Sequence, residues 1–237
     1  MLERIGSFLF RWRNGLFPLI ILALAGFFPS QPISSPGELA LLVVGLGIAA
    51  AGQVLRVLTI GWQYIERGGE RGRVSATRLV TGGMFAHCRN PLYVGNVLLV
   101  AGFLIAFGRP LAAAIGFGIC VFAYAAIVAS EEAFLRRKFG EDFAAYCAAV
   151  PRWRLHLGGV LRTLRSEPAN ITAILLREYS TLSITALLAT ALAAWRLYEG
   201  YWNEAVFATV SVIAGVVLGF FCTIRLLKKK RIVYLPR

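Results

Sequence analysis

The chain has 237 residues, of which 58% are hydrophobic, and its 25 Lys and Arg against 12 Asp and Glu give a formal net charge of +13. Soluble domains are typically about 45–50% apolar with about 25% charged residues, whereas only 16% of these residues are charged. The apolar residues stand in long runs with the charges between them, which excludes a soluble basic nucleic-acid binder. The composition therefore predicts an integral membrane protein that has the lipid bilayer as a partner.

Six apolar segments approach the ~20 residues that a helix needs to cross the hydrocarbon core. They are approximately 14–29, 38–58, 92–108, 111–130, 182–198 and 205–227. Strand-like alternation is absent from them. The predicted fold class is an all-α integral membrane protein with about six transmembrane helices and with cytoplasmic amphipathic helices.

The distribution of basic residues predicts the orientation of these helices. With six spans, only Arg109 and Arg196 fall toward one side, so 23 of the 25 basic residues share the other. The positive-inside rule makes that side cytoplasmic and puts both termini there. The predicted location is the bacterial inner membrane, or the endoplasmic reticulum in a eukaryotic host.

The sequence favours neither a metal site nor disulfides. Its four cysteines form no C-x-x-C pair, and it has 2 histidines. The glycines of the apolar segments instead predict close helix packing, and they allow a homo-oligomer contact through small-residue helix faces. The positions concerned are Gly95, Gly102 and Gly108 in the third segment and Gly215 and Gly219 in the last.

The most informative stretch runs from Arg78 to Arg154. Within it, Asn90 followed by Pro91 predicts a helix start with Asn at the N-cap and Pro at the first helical position. A helix N-terminus beside Arg89 is also suited to binding a carboxylate or a phosphate. The alternative is a simple cap on a transmembrane helix.

Two helices joined at Gly108-Arg109-Pro110 would form an antiparallel hairpin with a tight turn. Such a hairpin brings Arg89, Asn90 and Tyr93 close to Glu131 and Glu132 at its cytoplasmic end. A carboxylate pair that faces lipid is costly, which favours an inward and functional placement. The alternative is a solvated pair that offsets the basic residues one turn further along the helix.

Two amphipathic segments are predicted after this hairpin. Gly140 stops the helix, and the segment from Glu141 to Val150 is expected to lie against the membrane or over the site until Pro151 ends it. Its apolar face carries Phe143, Tyr146, Cys147 and Val150. Ser166 and Pro168 open a further amphipathic helix. Ile171, Ile174 and Leu175 of that helix are predicted to face the bilayer before the fifth span.

Five motifs follow one another in this stretch: L-V-T-x-G-x-F, R-N-P-x-Y-x-G, E-E-x-x-L, F-G-x-x-F-x-x-Y and V-P. In this order and at this spacing, the chain resembles the isoprenylcysteine carboxyl methyltransferase family and its relatives among phospholipid N-methyltransferases. The resemblance covers approximately Leu79 to Arg152, and Arg56 is a further weak point of agreement.

The resemblance implies membrane-embedded methyl transfer from S-adenosylmethionine, bound at the cytoplasmic helix ends and partly covered by the segment after Gly140. A hydrophobic or lipid-linked acceptor would reach the site from the bilayer. By carry-over, Arg89 and Glu132 are candidate catalytic residues. The candidate cofactor-binding residues are Asn90, Pro91, Tyr93, Gly95, Glu131, Glu132, Leu135 and Tyr146. The chain departs from the family at Asn90, where His is usual, and at Phe85 and Phe143, where Tyr is common.

The resemblance divides the chain into two N-terminal transmembrane helices (1–61), a methyltransferase-like core (62–155), and an interfacial helix with two C-terminal transmembrane helices (156–237). Its leading functional interpretation is methylation of a carboxylate on an isoprenyl- or lipid-linked acceptor, oriented by Arg89. The alternatives are a phospholipid or amine N-methyltransferase, a small-molecule thiol S-methyltransferase, and a non-catalytic membrane scaffold.

Overall fold

The structure is a computed structural model that describes residues 1–62, 76–166, 168–201 and 203–230. These ranges contain helices and turns and no strand, which confirms the all-α prediction. The helices are α1 (Leu2–Phe27), α2 (Pro36–Trp62), α3 (Pro91–Phe107), α4 (Pro110–Ala149), α5 (Val160–Ser166), α6 (Ile171–Tyr201) and α7 (Glu204–Lys229), and a short 3-10 turn spans Gly83–Ala86.

Four or five helices of the described residues are long and apolar enough to cross a membrane, so the predicted number of about six is not confirmed. By length and composition, α2, α4, α6 and α7 qualify among the described residues. Helix α1 adds a fifth if its two halves count as one span, because it bends by 82° between Leu2–Arg13 and Gly15–Phe27. The ring of Pro18 clashes with the carbonyl four residues earlier, which accounts for a bend at this point. Helix α3 has 17 residues, about 26 Å of helix against a hydrocarbon core of ~30 Å.

Helices α2 and α3 pack with their backbones in close contact, as the glycine pattern predicted. A Cβ atom on Gly45 would lie 2.6 Å from the Gly102 carbonyl oxygen, and one on Gly52 would lie 2.6 Å from that of Gly95. Helix α1 packs against α4, and α3 and α4 form the predicted hairpin. Gly108 ends α3 at a φ of +75° and permits the tight turn.

The turn end of the hairpin holds the two basic residues that were predicted to lie apart from the others. The Arg109 Nε atom donates to the Pro29 carbonyl at 2.8 Å. The Arg196 side chain is 1% exposed, and its Nη1 atom donates to the Phe107 carbonyl at 3.3 Å. The opposite end of the hairpin, at Asn90 and Glu132, is therefore the one that carries the predicted site.

The sequence predicted an interfacial helix followed by a separate fifth span. This division is wrong, because both belong to α6, a single helix of 31 residues. It begins after Asn170, whose side-chain oxygen accepts from the Ala173 amide at 2.8 Å. Ile174 packs against Gly61 of α2 instead of facing the bilayer. Arg56 neutralises the charge of Glu178 inside the protein, so α6 continues through this residue.

Helix α7 packs on α6 but none of its residues is buried. A Cβ atom on Gly215 or Gly219 would meet no atom within 4 Å among the described residues. The predicted close packing is therefore confirmed for Gly95 and Gly102 and wrong within this chain for the α7 pair. The homo-oligomer contact through such faces stays a prediction.

Candidate active site

Helix α3 begins where the sequence predicted, with Asn90 at the N-cap and Pro91 in the first turn. The expected side-chain cap is wrong, however, because the Asn90 side chain does not bond to its own helix. Its Nδ2 atom donates to the Arg152 carbonyl at 3.1 Å and lies 3.5 Å from Glu132 Oε1. These contacts engage the donor side of the Asn90 amide, and its side-chain oxygen, the atom that could accept from the helix amides, makes no cap bond.

Glu132 lies between two arginines that approach from different parts of the chain. Its Oε1 atom is 3.3 Å from Arg89 Nη1, and its Oε2 atom is 3.1 Å from Arg152 Nη2. Glu132 is 13% exposed and Arg89 is 16% exposed. The predicted inward placement is thus confirmed over the solvated alternative. These three residues are called the Arg89–Glu132–Arg152 cluster below.

Glu131 has different surroundings from its neighbour. It accepts a hydrogen bond from the Tyr93 hydroxyl at 2.6 Å, and it makes no salt bridge within the described part of the chain. The Tyr93 ring lies 5.4 Å from the Tyr124 ring. Arg13 of α1 interacts with Glu131 electrostatically and stacks over the Phe10 ring at 4.2 Å. Glu131 therefore keeps acceptor capacity that Glu132 has already used.

The segment after Gly140 folds over the cluster, which is one of the two placements that the sequence left open. Gly140 breaks α4 at a φ of +51°, and Phe143 on the inner face of the segment is 1% exposed. The Tyr146 hydroxyl donates to the Phe85 carbonyl at 2.8 Å, and Arg89 Nη1 donates to Cys147 Sγ at 2.9 Å. The covering segment is thereby fixed both to the loop before α3 and to the cluster itself.

Sequence reasoning missed two residues that hold this arrangement together. Arg152 was counted only as a basic residue, although it supplies both a guanidinium to Glu132 and a carbonyl to Asn90. His87 bonds through Nδ1 to the His156 carbonyl at 2.9 Å and through Nε2 to the Thr163 hydroxyl at 2.8 Å. The V-P motif lies directly before Arg152 and could have pointed to this arginine as a site residue. Nothing in the sequence indicates that His87 contacts Thr163.

Two buried or partly buried arginine nitrogens in this site lack a partner among the described residues. They are the Nε atoms of Arg89 and Arg152. Buried polar groups in proteins are normally hydrogen-bonded, so both atoms point to an acceptor such as a carboxylate. The neighbouring Cys88 thiol is fully buried, and burial raises its pKa. Cys88 therefore stays protonated and unreactive at neutral pH.

The family model for phospholipid methyltransferases matches residues 39–142. This part of the chain is a phospholipid methyltransferase domain. No curated protein and no solved structure matches the chain. The domain comprises α2, α3 and most of α4, and it belongs to the superfamily that also contains the isoprenylcysteine carboxyl methyltransferases. The resemblance seen in the motifs is thus confirmed at that level, and the match of this domain supports a membrane methyltransferase in general terms.

The methyltransferase domain contains the eight candidate cofactor-binding residues except Tyr146, but they do not all lie at the cluster. A Cβ atom on Gly95 would lie 2.9 Å from the Gly52 carbonyl oxygen, so helix packing accounts for this glycine. Pro91 is buried at the helix start. Leu135 is half-buried one turn after Glu131. A role for these three residues in cofactor binding stays a prediction.

The contact between Tyr93 and Glu131 leads to a testable expectation for the methyltransferase. We expect Tyr93→Phe to lower kcat/KM for methyl transfer about tenfold, or about 1.4 kcal/mol, because the variant removes a hydrogen bond to a charged group and keeps the ring. Tyr179→Phe is the control, since its ring contact with Phe221 is retained and it lies on α6, away from the cluster. An equal decrease in both variants would contradict a specific role for Tyr93.

Proposed function

We propose that the methyltransferase domain transfers a methyl group from S-adenosylmethionine to a carboxylate on an isoprenyl- or lipid-linked acceptor. The observation that carries the proposal is the Arg89–Glu132–Arg152 cluster at the start of α3, where two guanidinium Nε atoms have no acceptor among the described residues. Arginine forks match carboxylates through paired hydrogen bonds. The cluster is therefore suited to carboxylates of both the methyl donor and the acceptor.

The residues of the site fit the functional groups of S-adenosylmethionine, which has a carboxylate, an ammonium group and ribose hydroxyls. The amides of the first turn of α3 suit the carboxylate, because a helix N-terminus favours an anion. Glu131 suits the ammonium group, since it has no salt bridge of its own among the described residues. Glu132 is occupied by two arginines, so we assign to it the positioning of Arg89 rather than contact with the cofactor.

The protein contributes binding, alignment and exclusion of water. When bound, the cofactor supplies an electrophilic methyl group on a sulfonium. Methyl transfer demands that the nucleophile lie in line behind the methyl carbon at ~3–3.5 Å. Arg89 would orient the acceptor carboxylate through its guanidinium. The covering segment, with Phe143 and Tyr146, would keep water from the reacting groups, because charges interact more strongly when water is excluded.

A second candidate acceptor is an amine, such as the headgroup of phosphatidylethanolamine. Two observations favour it: the matching family model is that of phospholipid methyltransferases, and Glu131 is a carboxylate suited to a cation. An amine must lose a proton before it attacks. Since Asn90 replaces the usual His and cannot titrate, Glu131 would have to accept that proton.

A cytoplasmic orientation of the site is part of the proposal. It is supported by the position of the Arg89–Glu132–Arg152 cluster at the hairpin end opposite to Arg109 and Arg196, together with the charge distribution of the sequence. We propose the bacterial inner membrane as the location. Labelling of an introduced cysteine at exposed Arg136 with an impermeant maleimide tests this orientation, which would be wrong if intact cells were labelled from outside.

Methyl-labelled S-adenosylmethionine separates the candidates. Membranes that contain the protein are incubated with the labelled donor, and the extracted lipid and protein fractions are treated with base. A carboxyl methyl ester releases volatile labelled methanol, whereas N-methyl and S-methyl products keep their label. Volatile label is the expected result. Base-stable label in phosphatidylethanolamine would favour the amine, and base-stable label in a supplied thiol would favour that acceptor. No incorporation with any of the supplied acceptors would favour the non-catalytic scaffold.

A further inference from the structure

A second group of polar side chains lies beneath the site, inside the helix bundle. It consists of Arg56, Asn96, Tyr124 and Glu178, one each from α2, α3, α4 and α6, and is called the buried polar layer. Asn96 lies six residues after Asn90, and Tyr124 lies seven residues before Glu131. These separations correspond to about 9–10.5 Å of helix. The layer is therefore one and a half to two turns deeper than the cluster.

The centre of this layer is a buried ion pair. The Arg56 side chain is 2% exposed and that of Glu178 is 1% exposed. Arg56 Nε donates to Glu178 Oε1 at 2.6 Å, and Arg56 Nη2 donates to Glu178 Oε2 at 3.0 Å. Gln53 donates to the same carboxylate at 3.1 Å. A forked pair with this much support fixes the direction of the guanidinium.

Arg56 in turn orients the side chain of Asn96. Its Nη1 atom donates to Asn96 Oδ1, and because arginine has no acceptor, the amide oxygen of Asn96 must face it. The amide nitrogen of Asn96 then faces away from Arg56, and the Tyr124 hydroxyl lies next to this side chain. The Tyr124 ring contacts Tyr93, which donates to Glu131. Contacts therefore continue from Glu178 to the carboxylate of the site.

We propose that Glu178 is a positioning residue of the methyltransferase, acting through Arg56 and Asn96 on the Tyr93–Glu131 pair. The inference rests on the proposed function of Glu131 as the ligand of the cofactor ammonium. Glu178 lies outside the segment 39–142 that matches the family, so α6 becomes part of the working enzyme. A buried ion pair is a weak source of stability compared with apolar packing, and charges inside a membrane are costly. Positioning explains why this pair is present.

The double variant R56M/E178L separates positioning from stability. Apolar residues of similar size can replace a buried ion pair without loss of stability, so the variant is expected to unfold at the wild-type temperature in detergent. Its affinity for S-adenosylhomocysteine, measured by calorimetry on the purified full chain, is expected to fall about fivefold, within the range of indirect effects. Thr190→Val on α6 is the matched control, because this hydroxyl bonds to Ala186 of its own helix.

Wild-type affinity in folded R56M/E178L would overturn the positioning role and leave the proposed function intact. Failure of the wild-type protein to bind S-adenosylhomocysteine would overturn the proposed function, and the positioning role with it. If the double variant does not fold, Glu178→Gln carries the test, since glutamine keeps the shape and one acceptor for Arg56. The same decrease in affinity is expected for it, with recovery in Glu178→Asp, and wild-type affinity in Glu178→Gln would contradict the proposal.

Discussion

Replacing Arg89 with alanine is expected to lower kcat/KM for methyl transfer about 10²–10³-fold, which corresponds to about 2.7–4 kcal/mol of transition-state stabilisation. The variant removes the guanidinium that we propose for the acceptor carboxylate. It also leaves Glu132 with a single arginine partner and removes the contact with Cys147 that fixes the covering segment. Loss of one partner of a mostly buried charge pair typically costs several kcal/mol. Transfer of labelled methyl to extracted acceptor is the measurement.

Two further variants define what the Arg89 result means. Arg89→Lys keeps the charge but loses the planar fork, so we expect activity between those of the wild type and the alanine variant. Arg136→Ala is the matched control, because Arg136 is exposed on α4 one turn after Glu132 and the charge change is the same. Near-wild-type activity in Arg89→Ala, or an equal loss in Arg136→Ala, would contradict the assignment of the cluster.

Gly102→Ala is expected to destabilise the protein by about 2–3 kcal/mol, because an added methyl group has no space between α2 and α3. Its Cβ would lie 2.5 Å from the Gly45 carbonyl oxygen and even closer to the Ala49 amide nitrogen. Both are backbone atoms, so no side chain can move aside and the helices must separate. Since α3 carries Asn90 and Tyr93 into the site, activity should fall together with the unfolding temperature in detergent.

Gly47→Ala is the control for this prediction. Gly47 lies two residues after Gly45 on α2, but a Cβ there would meet no atom of the described residues within 4 Å. Because alanine has a higher helix propensity than glycine, the control variant is expected to be as stable as the wild type or slightly more so. Equal unfolding temperatures for Gly102→Ala and the wild type would show that α2 and α3 do not pack as closely as described.

The parts of the site that could be predicted are those that follow from helix geometry. A tight turn at Gly108 makes α3 and α4 antiparallel, and this alone brings Arg89 close to Glu132. The break at Gly140 was predictable for the same reason, since glycine supplies the positive φ that ends a helix. These predictions needed only local sequence and the spacing of two motifs.

The parts that could not be predicted depend on contacts between residues far apart in the sequence. Asn90 appeared to be an ordinary cap, because a local pattern does not show that the Arg152 carbonyl competes for its side chain. The continuation of α6 through Glu178 was not predictable, because its partner Arg56 lies 122 residues earlier. The bend of α1 is likewise not given by a hydropathy pattern that finds only apolar segments, whereas the third segment, 92–108, already had the 17-residue length of α3.

The most direct test of the account is equilibrium binding of S-adenosylmethionine to the purified protein and to Glu131→Gln. We predict saturable binding by the wild type and about tenfold weaker binding by the variant, because the loss of a charge-assisted contact costs about 1.4 kcal/mol or more. Glu141→Gln, an exposed carboxylate on the covering segment, should bind as the wild type does. No saturable binding by the wild type, or wild-type affinity in Glu131→Gln, would contradict the account.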